Sequence, residues 1–113
     1  MRAAIAMILV AAAVQLAVAE PAAKPKPPSC DAEGLTTQGK NALNTGTYSA
    51  ALKYFEQSLA CKLDDKLYPL CLMAACKGGM EAKARLYYKK LSASQQDRLR
   101  QMCTANHIDP TKD

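Results

Sequence analysis

From residue 46 onward apolar positions recur at spacings of three and four, and no convincing length of the chain alternates with the period of two that a half-buried strand requires. Between Gly46 and Leu59, the side chains Tyr48, Ala51, Leu52, Phe55 and Leu59 fall on one side of a 3.6-residue helix. Ala51 sits one turn ahead of Phe55, a pairing that lets a neighbouring helix come close and then meet a ring. The most regular stripe is Leu67, Leu70, Cys71, Ala74 and Ala75, at offsets 0, 3, 4, 7 and 8. A weaker one, Leu35, Gly39, Ala42 and Leu43, precedes both, and its small residues suit close packing.

Punctuation between these stripes divides them into five helices. The first runs over 31–44 with Ser29 or Asp31 as cap and ends at Asn44-Thr45-Gly46. The second is capped by Thr47 and continues to about 62, where Asp64-Asp65 breaks the pattern and supplies acidic side chains for the next helix start. The third spans about 66–77, beginning as late as Tyr68 because Pro69 fits only a first turn, and Gly78-Gly79 stops it. The fourth runs from 80 to about 91 with Ala84, Leu86, Tyr87, Tyr88 and Leu91. The last starts with Ser94 as cap and Asp97 three residues on, and runs to about 105 with Leu99, Met102 and Cys103 inward. The expected class is all-α.

The first 19 residues stand apart from this domain. Arg2, the apolar run from Ala3 to Val18 and the small residues Ala17-Val18-Ala19 before Glu20 predict a secretory signal peptide over 1–19. About 16 apolar residues fall short of the roughly 20 that a spanning helix needs, so membrane attachment is expected only if this segment stays uncleaved. Pro27-Pro28-Ser29 ahead of Cys30 is not a lipoprotein pattern. Residues 20–29, with Pro21, Lys24, Pro25, Lys26, Pro27 and Pro28, predict an extended spacer, and 109–113 a disordered tail.

Charge adds little to this picture. The whole chain carries 15 Lys plus Arg against 10 Asp plus Glu. Losing Arg2 with the signal leaves 14 against 10, about +4 and well mixed, and no basic tract longer than Lys89-Lys90 points to nucleic acid.

Five cysteines, Cys30, Cys61, Cys71, Cys76 and Cys103, change it more. In an exported domain of this size they read as disulfides, and an odd number leaves one thiol over; about 15 arrangements are possible. Cys103 and His107 lie one turn apart, as a thiol–imidazole nucleophile would, but nothing supplies an oxyanion site or an orienting third group. Cys71, Cys76 and Cys103 lack zinc-knuckle spacing, no Cys-x-x-Cys occurs, and Gly78-Gly79 lacks the Lys-Ser or Lys-Thr of a phosphate loop. No catalytic residue, metal site or cofactor is expected. Tyr87-Tyr88 with Lys83, Arg85, Lys89 and Lys90 reads either as a recognition patch or, more simply, as one core tyrosine beside a solvated face.

The pattern Gly46-x-Tyr48-x-x-Ala51-x-x-x-Phe55-x-x-Ser58-Leu59 resembles the second helix of a tetratricopeptide repeat, and Gly39 stands where the family prefers a small residue. Gly46, Ala51 and Phe55 recur as Gly79, Ala84 and Tyr88, each 33 residues on, close to the family's 34-residue period. Leu35 replaces a favoured aromatic, Gln38 and Leu72 interrupt apolar and small positions, and no proline closes either unit. The resemblance covers 31–63 more fully than 66–92. It implies antiparallel helical hairpins over 30–108: two units plus a C-terminal capping helix.

In such a hairpin the end of the second helix returns to the start of the first, which places Cys61 beside Cys30; a bridge is expected there. A second is expected from Cys103 to Cys76, with Cys71 as the alternative partner. The family's concave surface would here include Glu33, Thr36, Lys40, Asn44, Met73 and Lys77, and its basic clamp for a terminal carboxylate is incomplete. The resemblance implies a scaffold that binds a protein or peptide without catalysis, and the N-terminal segment makes it an exported one, periplasmic or secreted. The alternatives are a small cysteine-dependent thiol protein of the cell envelope, and a structural subunit of an envelope assembly.

Overall fold

The computed structural model describes residues 30–112. The expected signal peptide and the whole of the expected spacer, 20–29, lie outside the described residues. Five helices follow one another: α1 (Ala32–Asn44), α2 (Tyr48–Cys61), α3 (Tyr68–Lys77), α4 (Glu81–Tyr88) and α5 (Ala93–Ala105), with a 3-10 turn, Asp65–Leu67, leading into α3. No strand occurs among the described residues, and no helix there is long and apolar enough to cross a membrane.

Local chemistry sets most of these boundaries. Asp31 caps α1 by accepting the Gly34 N–H at 3.0 Å. Asp64 caps the 3-10 turn by accepting the Lys66 N–H at 3.0 Å. Thr47 occupies the cap position of α2 without making a capping bond; its hydroxyl meets that of Thr45 at 3.2 Å instead.

α1 and α3 end the same way. After α1, Thr47 N–H reaches Ala42 C=O at 2.9 Å and Gly46 N–H reaches Leu43 C=O at 3.2 Å; after α3, Met80 N–H reaches Ala75 C=O at 2.8 Å and Gly79 N–H reaches Cys76 C=O at 3.3 Å. This is the Schellman arrangement, which needs a left-handed residue, and Gly46 and Gly79 supply it with φ of 81° and 72°. α5 ends likewise, with His107 at φ 65°.

Three boundaries depart from the sequence expectation. Ser92, not Ser94, caps α5: its Oγ accepts from Gln95 N–H at 3.3 Å while Gln95 Oε1 accepts from Ser92 N–H at 3.0 Å, a reciprocal capping box. α4 stops at Tyr88, short of Leu91, and Leu86 is exposed because the buried face of α4 is Ala84, Tyr87 and Tyr88. Residues 109–112, expected as tail, form a turn in which Asp109 Oδ1 accepts from the N–H and hydroxyl of Thr111 and Pro110 is fully buried.

α3 is the centre of the packing, touching α2, α4 and α5. Its Cys71, Leu72, Ala74, Ala75 and Cys76 are all inaccessible to solvent, as are Ala51 and Phe55 of α2 and Ala84 of α4. α1 lies on α2 through Gly39, where an added Cβ would come within 2.5 Å of the Phe55 ring. Cys76 and Cys103 are joined by a disulfide that fastens α5 to α3.

A polar chain runs into the core from Glu56. Its Oε2 accepts from Lys83 Nζ and from Tyr87 Oη, each at 2.7 Å. The one phenolic proton is thereby committed to Glu56. Burial, with the Glu56 carboxylate nearby, pushes the Cys71 thiol up to about 12, and burial with the Glu56 bond raises Tyr87 as well. Between about pH 9 and pH 12 the unfolded chain has released the Cys71 proton and the folded chain still holds it, so stability falls as pH rises. Thermal melts over that window are expected to show a loss on the order of 2–4 kcal/mol, and the Cys71→Ala variant a shallower one.

Candidate functional site

The first turn of α1 and the last turn of α2 are locked together by Ser58, a buried polar residue on the same face as Phe55. Ser58 Oγ donates to the Ala32 carbonyl at 2.9 Å and lies 2.8 Å from Thr36 Oγ1. Its single proton goes to Ala32, so Thr36 is the donor to Ser58. α2 therefore runs back along α1, and its C-terminal end lies beside the α1 start.

A cavity of about 430 Å³ opens at this junction, lined by Ala32, Glu33, Thr36, Thr37 and Lys40 of α1, Ser58 of α2, and Lys62, Asp64 and Lys66 beyond it. Three lysines, two acidic residues and three hydroxyl residues line one space. None of Lys40, Lys62 and Lys66 is in an ion pair among the described residues. Lys66 also borders a second cavity of about 350 Å³ with Asp65, Lys90, Ser92 and Gln95. A lining of both signs with hydroxyls between them suits the peptide groups and charged side chains of a polypeptide better than an apolar small molecule.

Of the six concave-face residues expected from the sequence, this cavity gathers Glu33, Thr36 and Lys40. Asn44, Met73 and Lys77 do not line it. Asn44 is the last residue of α1, 11 residues beyond Glu33 and so about 16 Å along the axis, and Lys77 ends α3. Ser58, Lys62, Asp64 and Lys66 went unrecognised. The signal for Ser58 was its place three residues after Phe55, where a polar side chain on a buried stripe needs partners.

The tyrosine-rich patch is not a surface. Tyr87 and Tyr88 are 5% and 6% exposed, which removes both rings from any recognition role. Tyr88 Oη accepts from Arg100 Nε at 3.1 Å, and its carbonyl accepts from Gln96 Nε2 at 2.8 Å, tying α4 to α5. Cys103 is spent in its disulfide and so cannot pair with His107 as a nucleophile. No group of three or more metal-ligating side chains occurs among the described residues.

Cys30, exposed ahead of Asp31, and Cys61, partly buried at the end of α2, stand as two thiols rather than as a bond. Hydrogen bonding toward Cys30, then burial and the Cys30 and Asp31 charges, pushes the Cys61 thiol up to about 11. Cys71 is wholly buried.

Compared with known proteins, the chain matches no family model, no curated protein and no solved structure.

Proposed function

We propose that this chain is an exported, non-catalytic interaction module, two tetratricopeptide-like units closed by α5, that holds an extended polypeptide segment in the groove between α1 and the end of α2. The observation that carries this reading is the cavity itself, where Glu33, Thr36 and Lys40 meet Lys62 and Lys66 with their ammonium groups unspent. The 33-residue recurrence supports the repeat. Gly46 and Gly79 take the same left-handed turn, Ala51 and Ala84 are both fully buried, and Phe55 and Tyr88 both enter the core. Such units bury their faces only by stacking, and a short array gains from a covalent staple. The Cys76–Cys103 bridge suits an oxidising compartment, in keeping with an exported chain that begins at Glu20.

Selection of random peptides displayed on phage against the full chain tests the groove. Enrichment of a consensus is expected, with affinity falling about tenfold or more in Lys62→Glu, where losing one ammonium contact and gaining a repulsive one costs at least about 1.4 kcal/mol. Gln101→Glu on the exposed side of α5 should leave affinity unchanged. Binders indifferent to Lys62→Glu would remove the groove from the function.

A further inference from the structure

We propose that Cys30 and Cys61 form a thiol–disulfide exchange site, at which Cys30 captures a sulfur from a low-molecular-weight or protein disulfide and Cys61 resolves it into an intramolecular bridge. Placement carries the case. Ser58 lies one turn before Cys61 and is bonded to Ala32, two residues after Cys30, so the α1–α2 lock that shapes the groove also sets the two sulfurs together. The Cys30 side chain is also the leading influence on the Cys61 thiol, in line with that placement.

The two thiols are unequal. Cys30 is exposed and open to an incoming disulfide, whereas Cys61 is partly covered at the helix end. The largest cause of the raised Cys61 thiol is its bond to Cys30, and the Cys30 charge adds to it. Capture of Cys30 removes both, so Cys61 becomes the stronger nucleophile once the first step is complete.

In that step the Cys30 thiolate attacks one sulfur of R–S–S–R; the oxidant's S–S bond breaks and one RS⁻ leaves, taking a proton from solution. Cys61 then gives its proton to water and attacks the Cys30 sulfur, and the second RS⁻ departs to become RSH. Two electrons and two protons pass from the pair to the oxidant, which ends as two thiols. The other cysteines stand outside this chemistry, because Cys76 and Cys103 are bonded to each other and Cys71 is inaccessible.

Exchange is read from thiol masses with no polypeptide ligand present, so its failure and that of the groove are separate outcomes. The full chain is equilibrated in mixtures of reduced and oxidised glutathione, acid-quenched, alkylated and peptide-mapped. The Cys30–Cys61 bridge is expected to pass from mostly open to mostly closed across these mixtures while Cys76–Cys103 stays closed. Cys61→Ser should accumulate a glutathione adduct on Cys30, and Cys30→Ser should form one on Cys61 about tenfold more slowly or less. A Cys30–Cys61 bridge that never forms, one that stays closed in excess reduced glutathione, or an adduct that prefers Cys61, would overturn the assignment.

Discussion

Cys103→Ala is expected to lower the stability of the domain by about 3–4 kcal/mol, the loop entropy released when a cross-link is lost. The disulfide spans 27 residues, from the last turn of α3 to the last turns of α5. The loss is large against the roughly 5–15 kcal/mol that holds an ordinary domain together. It should also be uneven. α5 packs chiefly on α3, and Cys103 is its one fully buried side chain. What remains to hold it is the partial burial of Leu99 and Met102 and the bonds from Gln96 and Arg100 to Tyr88. Hydrogen exchange should therefore show α5 amides losing protection first, with α1 and α2 little changed. Uniform loss over all five helices would mean that α5 folds as part of one unit with the rest.

Phe55→Ala is the second large effect, expected at about 3–5 kcal/mol because the ring is wholly buried and its neighbours collapse only in part. Gly39 makes the argument sharper. Its missing Cβ is the space the ring occupies, so Gly39→Ala drives a methyl to within 2.5 Å of a ring that is itself wholly buried. Overpacking against a fully buried ring costs about 1–3 kcal/mol, of which the better helix propensity of alanine returns up to about 1. The two positions share one contact, so they should not add. Gly39→Ala combined with Phe55→Leu is expected to be less damaging than the sum of the single changes, with a coupling of about 0.5 kcal/mol or more in chemical denaturation. Strict additivity would show that α1 and α2 do not meet where the structure places them.

The parts of this fold that rest on one helix's own periodicity were legible in the sequence. The Phe55 and Cys71 stripes, the glycines at 46 and 79 and the small residue at 39 all follow from apolar spacing and turn chemistry, whereas the docking of α5 on α3 left Cys103 a choice between Cys76 and Cys71 that the fold decides for Cys76. What failed depended on where a neighbour lies. Ser92 and Ser94 are each followed three residues on by a polar side chain, and only the early end of α4 at Tyr88, with Leu91 buried after it, selects Ser92. Leu86 looks like core by composition and is turned outward by the choice of Ala84, Tyr87 and Tyr88 as the packed face. The groove was half legible for a similar reason. Glu33, Thr36 and Lys40 share a face of α1, but Lys62, Asp64 and Lys66 reach the same space only because Ser58 draws the end of α2 to the start of α1.

The most direct test of the central claim is photo-crosslinking in the producing cell from a benzophenone amino acid placed at Thr37, an exposed residue on the groove, with the same probe at Gln101 on α5 as reference. A discrete protein adduct at Thr37, absent from Gln101 and lost on adding Lys62→Glu, is the predicted result. Equal adducts at both positions, or none at Thr37 while Gln101 is captured, would contradict a module that holds its partner between α1 and the end of α2.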